Sequence, residues 1–397
     1  MLRLPLPVWA ALALTSVAIG STLALVPDRA SDLAIVRDWF AHWASTGQSV
    51  YLTPDLHVDY PPYALVLLYP LHWLPEANAA TWYLPFNLIT TAAMAWAMAG
   101  WLADETGAGR TSRNRITFVL MLLTWGSIRV ALWKGQTVAL AIWAGIAAVR
   151  LAARHPLPAG LLLTVAACKP SLGLGFGLIL LLRGHVRAVT VGVMGALALT
   201  TAFAVSVGQM PWTVLADYLD TLKAMYASRD YFRGVTTLRP LLHDLFDGHP
   251  AVVWVYGALG LAALGALIAV ARPVRRHPHA QGMLIVACLL WTLLALPNQR
   301  YYLTLLAPAV WLLWFTPHRV ADTDARWPIW LAAFTIVFNM VDGPLMVRMF
   351  GLWLGEVVPE AYLDYVFLVW ASSYIVAAPL VIVLYVQMLR GLRRLQT

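Results

Sequence analysis

Apolar runs of about 17–25 residues recur along almost the whole chain, and that pattern leaves few possible folds. These runs, together with several shorter ones, fall near 8–26, 78–102, 116–132, 136–150, 157–168, 171–183, 187–207, 251–271, 281–297, 300–316, 327–341 and 363–389. An all-α polytopic membrane protein with about 12 transmembrane helices is the expected architecture. Composition agrees. The chain is 61% hydrophobic and 12% charged, and a soluble domain carries about twice that charge. Nineteen Trp and fifteen Tyr suit the aromatic belts of two membrane interfaces. The first run, behind Arg3, has the look of a signal peptide. It is long for one, and many spans follow, so it reads as a retained span. The pair at 157–183 is too short for two full crossings and predicts a tilted or broken hairpin. The apolar piece 61–75 is also short and reads as a re-entrant or interfacial helix, with a true span as the alternative.

Positive charge orients the chain. With both termini inside, the inner segments collect most of the 27 Lys and Arg, including Arg110, Arg113, Arg115, Arg150, Arg154, Arg183 and Arg187. Topology therefore accounts for the net charge of +8, which gives no ground for nucleic-acid binding. Residues 1–397 read as a single transmembrane domain. Its outer polar bulk lies in a first loop at 27–77, a second at 208–250 and a third at about 342–362.

The first outer loop is too polar to span and too aromatic to be an idle linker. It carries Asp32, Asp38, Asp55 and Asp59, and a Tyr60-Pro61-Pro62 stop opens the next apolar segment. A single carboxylate can deprotonate a hydroxyl as a general base. Asp32 follows Ser31 where an amphipathic segment starts, so a helix N-terminal residue is the competing reading. Asp32 and Asp38 are too far out of phase on one helix to form a matched acid/base pair. His42 and His57 match no metal-ligand spacing and read as packed or solvated. The acidic Asp322-Thr323-Asp324 falls on the inner side and reads as a solvated loop. No nucleotide, dinucleotide or hydrolase motif is present, and no cofactor or metal is expected. Cys168 and Cys288 both lie in apolar segments and form no disulfide framework. The glycines after Pro170, in LGLGFGLIL, suit close helix packing.

The only lysines, Lys134, Lys169 and Lys223, all fall on the outer side. Lys134, Lys169 and Arg300 each sit at the outer mouth of a helix pair, flanked by apolar sequence. Cations at such depth are costly. Together they would repel unless an anion sat among them, and a lipid-linked phosphate is the natural one. Gln136 and Asn298 would add neutral donors. Snorkelling to the headgroups is the simpler alternative for each cation taken alone.

Three short pieces together resemble glycosyltransferase family 87. These are GT-C enzymes that use polyprenyl-phosphate sugars and include mycobacterial mannosyltransferases of phosphatidylinositol mannoside synthesis. One piece is Asp32 in SDLAIVRDW, then Gly47 and Tyr51, then YPPYALVLLYPLHWLP. The second is Gly135-Gln136 behind Lys134, and the third is Lys169-Pro170 at a helix break. The resemblance implies a GT-C-like helical bundle in the plasma membrane with its active site on the outer face. It implies an inverting transfer of a sugar, with mannose foremost, from a polyprenyl-phosphate donor to a hydroxyl of a glycolipid or glycan. Asp32 then matches the family's acidic residue and becomes the expected base, with Asp38 in reserve. Lys134, Gln136, Lys169 and Arg300 would hold the leaving phosphate, and Tyr60, Asn298 and Tyr301 would line the pocket. This chain has Tyr301-Tyr302 where related sequences often show His-Tyr, so Arg300 or Tyr301 would have to replace that His.

A multi-pass transporter or lipid flippase with a lipid-phosphate site is the alternative reading. It predicts paired broken helices near the midplane. Only Lys169-Pro170 offers one.

Overall fold

The computed structural model describes residues 31–75, 78–107, 109–123, 125–227, 251–275, 280–316 and 373–396, with isolated positions at 239–249 and His277. The predicted spans 8–26 and 327–341, the third outer loop, Asp322-Thr323-Asp324 and the first part of 363–389 lie outside the described residues. So does most of the second outer loop beyond residue 227. The described residues are helical, and the chain divides into two compact units. One comprises Leu2–Leu123 with Arg129–Tyr231, the other Thr124–Ile128 with Phe232–Thr397.

The first unit opens with α1 (Ser31–Thr46), whose buried Leu33, Val36 and Phe40 recur at helical spacing. Leu33 packs on Ala79 and Tyr83. Gly47 ends α1 at φ 64, a left-handed backbone that Gly adopts without Cβ strain. Two 310 turns follow, at Val50–Leu52 and Pro54–Leu56. Pro61 and Pro62 then start α2 (Pro62–Leu68), where a missing N–H costs nothing. At seven residues α2 is too short to cross a bilayer, and the chain continues as a 310 segment, Tyr69–Trp73.

Helix α3 (Ala79–Thr106) has 28 residues, about 42 Å of helix. The predicted span at 116–132 is interrupted. It forms α4 (Ser112–Leu123) and α5 (Gly126–Lys134), broken ahead of Gly126, where helix propensity is low. Then come α6 (Val138–Leu151), α7 (Pro156–Ala166), α8 (Pro170–Leu182), α9 (Val186–Ser206) and α10 (Pro211–Ala227). The expected hairpin at 157–183 is the α7–α8 pair, broken at Ala167–Lys169.

Close approach at glycine lets these helices pack. A Cβ on Gly145 of α6 would lie 2.2 Å from the Phe176 ring of α8, and one on Gly160 of α7 would lie 2.4 Å from Val191 of α9. Within LGLGFGLIL, Gly173 abuts Ala167 whereas Gly177 faces open space, so only part of that stripe serves packing. Helix α10 bonds to the first loop. The Tyr218 hydroxyl donates to the Asp59 carbonyl and Thr221 to the Tyr51 carbonyl, each at 3.5 Å.

In the second unit, α11 (Ala251–Val274) precedes the heavily buried α12 (Gln281–Ala295). The predicted span at 300–316 begins as a 310 segment, Arg300–Leu306, and becomes α13 (Ala307–Phe315) only after it. There the Thr304 hydroxyl bonds to Ser127 at 3.1 Å. Helix α14 (Ser373–Arg394) packs on α11 and α12, and its Tyr385 hydroxyl donates to Ala263 at 2.6 Å.

Among the described residues, α3, α9 and α11 are each long and apolar enough to cross a membrane, and α6, α7, α8 and α12 are shorter apolar helices. Val193, Met194, Leu197 and Val205 of α9 and Leu259 and Leu261 of α11 are exposed. An apolar exterior on long apolar helices marks a multi-pass membrane protein.

Candidate active site

The site is built in the first unit around the start of α1. Asp32 lies in the first turn, where a carboxylate is favoured by the helix dipole. Asp32 is thus a helix N-terminal acid, and it also faces the Lys134 ammonium. Its carboxylate accepts a hydrogen bond from the side-chain amide of Gln136 and lies 3.8 Å from the Lys134 ammonium. It also accepts from the Ser31 hydroxyl at 3.3 Å.

Lys134 and Gln136 reach Asp32 because Gly135 sits between them at φ 70. This left-handed turn closes α5, and the backbone N–H of Gln136 donates to the Ala131 carbonyl at 2.8 Å. Any other residue there would carry Cβ strain. Gln136 is buried, and its Oε1 has no hydrogen-bond partner among the described residues. Such an acceptor is costly unless a ligand fills it.

Lys169 forms the second part. It caps α8 in an extended conformation, forced because Pro170 disfavours helical geometry in the residue before it. Only 4% exposed, its ammonium lies 4.0 Å from the centre of the Tyr60 ring. A desolvated cation over an aromatic face is a favourable contact. Tyr60 is itself fixed on three sides. Its carbonyl accepts from the Tyr51 hydroxyl at 2.7 Å, its hydroxyl bonds to Thr137 at 3.4 Å, and its ring meets Trp39 edge-on. Trp39 in turn donates to the Leu56 carbonyl at 2.7 Å. Burial, then Tyr218 and Asp59, push the Tyr51 phenol upward, so it remains a neutral donor.

Asp59 is the residue that sequence reasoning did not select. It is half-buried beside Tyr60. Burial raises its carboxyl above the ordinary carboxylate range. The Lys169 ammonium pulls the other way, and the Asp32 carboxylate adds to the rise. Two carboxylates and two lysines thus share one region, with Asp59 sensitive to both Lys169 and Asp32. The available signal was its place directly ahead of Tyr60-Pro61-Pro62.

Asp38 is exposed on α1 and forms no ion pair among the described residues. His42 bonds to the Thr53 hydroxyl at 3.1 Å, and His57 to the Asp55 carbonyl at 2.9 Å. Among the described residues no His, Cys, Asp and Glu cluster could hold a metal. Arg300, Asn298 and Tyr301 belong to the second unit. Arg300 opens the 310 segment there, and Tyr301 is buried against Tyr302. The amide of Asn298 donates to the carbonyls of Thr292 and Leu296, at 2.6 and 2.7 Å. Those donors serve its own turn.

The helices that carry the site carry arginines at their far ends. Gln136 precedes α6, and Arg150 lies in its last turn. Lys169 caps the start of α8, and Arg183 caps its end. Arg183 pairs with both oxygens of Glu105, at 2.7 and 3.2 Å, and Arg150 pairs with Asp104 at 2.8 Å.

No curated protein and no solved structure matches the chain significantly. A family model does match, that of glycosyltransferase family 87, over residues 58–297. The matched stretch includes Asp59, Tyr60, Lys134, Gln136 and Lys169. Asp32 lies ahead of it and is joined to it by the Gln136 and Lys134 contacts. The match covers more than half of the chain, which therefore belongs to glycosyltransferase family 87 and is a glycosyltransferase.

Proposed function

We propose that the enzyme is an inverting transferase that moves a sugar, mannose foremost, from a polyprenyl-phosphate donor to a hydroxyl of a glycolipid or glycan of the cell envelope. One observation carries this reading: Asp32 sits against Gln136 and Lys134, in a region that also holds the buried Lys169. A carboxylate beside cations suits single displacement at a phosphate-bearing carbon.

In that reaction the acceptor oxygen attacks the anomeric carbon. The bond from that carbon to the phosphate oxygen breaks, and its electron pair leaves with the polyprenyl phosphate. Asp32 takes the proton of the attacking hydroxyl. Lys134 and Lys169 offset charge on the departing phosphate, in an environment of low water content where such contacts are strong. The free Oε1 of Gln136 is an acceptor for a substrate hydroxyl. Attack opposite the leaving group inverts the anomeric centre.

The arginine-bearing ends of α6 and α8 suit the cytoplasmic side. The catalytic end then faces outward, with multiple spans in the plasma membrane. Arg300 and Tyr301 are further candidates for the donor pocket, and Asp38 is the reserve base. The single-domain reading and the covering role of residues 208–250 belong to the same proposal. Family membership favours the transferase over the transporter alternative.

Sugar transfer in membranes from labelled polyprenyl-phosphate mannose, comparing wild type with Asp32→Asn, tests this reading. Turnover by wild type and its loss in the variant is the expected result. Equal turnover by the variant would displace Asp32. No turnover with mannose, glucose or arabinose donors would overturn the donor assignment.

A further inference from the structure

We propose that the first unit carries a second anion site, for the phosphodiester of an anionic phospholipid, at the arginine-bearing end of α3, α6 and α8. Gly100 of α3, having no side chain, lets two guanidinium groups lie against its backbone. The point that a Cβ would occupy lies 3.4 Å from Arg150 Nη1 and 4.0 Å from Arg115 Nη1. Two like charges therefore converge over one backbone position.

The carboxylates nearby do not neutralise both. Asp104 pairs with Arg150, and Glu105 is committed to Arg183 and to the Trp101 indole N–H, the latter at 3.2 Å. The Nε of Arg115 is buried and has no hydrogen-bond partner among the described residues. Arg110, ahead of α4, and Arg113, in its first turn, are exposed and add further positive charge. Inner-side topology alone explains arginines at this end, but not their convergence on a glycine.

A phosphodiester matches this arrangement. Its two non-bridging oxygens accept from two guanidinium groups, and planar guanidinium forks favour such anions. The membrane geometry points to a lipid as its source. Along α3, Asp104 lies roughly 30 Å from Tyr83, on which Leu33 of the Asp32 turn packs, and that is the thickness of the hydrocarbon core. The arginine end thus sits at the opposite headgroup level, where basic pockets between helices bind anionic lipids. Exposed Trp96 on α3 and Ile116 on α4 supply apolar surface for an acyl chain.

The test measures binding, so its result is independent of the transferase reading. The delipidated full chain in detergent is offered phosphatidylglycerol and phosphatidylcholine in equal amounts, and bound lipid is read by native mass spectrometry. Phosphatidylcholine carries the same phosphodiester but adds a choline cation that the arginines repel, so the site predicts roughly tenfold preference for phosphatidylglycerol. Thermal unfolding is then compared with and without each lipid. Phosphatidylglycerol is expected to raise Tm by several degrees in wild type and in Arg154→Gln, which removes an exposed charge beyond α6. The gain is expected to vanish in Arg115→Gln/Arg150→Gln. Equal retention of the two lipids by wild type would overturn the proposal, and that result needs no variant to fold. So would a gain kept by the double variant, or one reproduced in full by inorganic phosphate.

Discussion

The side-chain amide of Gln136 donates to the carboxylate of Asp32 across 104 positions of sequence. The contact orients the carboxylate without neutralising it, and Lys134 supplies the adjacent charge. Asp32→Asn keeps the shape and removes the proton acceptor. General-base catalysis contributes about 10²–10⁴-fold, and kcat is expected to fall by that factor. Donor binding, followed by equilibrium binding of labelled polyprenyl phosphate, is expected to persist. Lost binding with unchanged residual chemistry would assign Asp32 to the donor instead.

Lys169 and Tyr60 make a graded test possible. Lys169→Gln removes the buried charge and is expected to raise the donor KM strongly. Tyr60→Phe keeps the ring and gives up only the long bond to Thr137, so near-normal kinetics are expected. Tyr60→Leu removes the ring, and cation–π contacts at desolvated sites are worth about 2 kcal/mol. Its effect should therefore lie between the other two. Donor KM measured in one membrane preparation ranks the three.

Asp59 predicts a pH dependence of stability. Its carboxyl is raised in the folded state, chiefly by burial, so the folded protein holds that proton more tightly than the unfolded chain. The stabilisation is fully present below the unfolded value of about 3.9 and is lost as pH rises through the folded value. Asp59→Asn retains the uncharged form at every pH. Its Tm is expected to exceed that of wild type at neutral pH, and the gap should close as pH falls into the ordinary carboxylate range. Thermal unfolding across that interval measures it. A gap of the opposite sign would mean that the Lys169 attraction outweighs burial.

Gly145 and Gly177 predict opposite outcomes for the same substitution. A Cβ at Gly145 meets the Phe176 ring at 2.2 Å, whereas nothing lies within 4 Å at Gly177. Gly145→Ala is expected to cost about 1–3 kcal/mol through overpacking. Gly177→Ala should leave Tm close to wild type. Similar Tm values for both variants would contradict the α6–α8 packing described above.

Much of the site was legible because its residues are chemically out of place. Lys134 and Lys169 advertise a cost as cations in an apolar setting, whereas Gly135-Gln136 stood out only through the family resemblance. The contact between Asp32 and Gln136 had no such mark, since pairing over 104 positions leaves no trace in local pattern. Asp59 was passed over because a loop aspartate usually faces water, and its burial comes from tertiary packing. Hydropathy also hid two features of the fold. The stretch at 116–132 reads as one span although Gly126-Ser127 and Arg129 interrupt it, and Gly126 starts a new helix. At 300–306 the apolar pattern continues while the chain winds as a 310 segment. Asn298 offered itself as a donor by residue type, and only the folded turn shows its amide spent on Thr292 and Leu296.

The brevity of α7 and α8 sets a condition on the surrounding lipid. With 11 and 13 residues they reach only about 17–20 Å, against about 31 Å for the 21-residue α9 beside them. Exposed Leu157 and Leu161 on α7 and Leu174 on α8 give that short wall an apolar outer surface. In the proposed orientation, a bilayer of ordinary thickness would thin at this wall, bringing headgroups and water down toward Lys169. Under the proposed function, a carrier phosphate arriving along that thinned wall would keep its solvation until it met the ammonium. Turnover in vesicles should then depend on acyl-chain length, fastest in thin bilayers and slower as the hydrocarbon layer thickens.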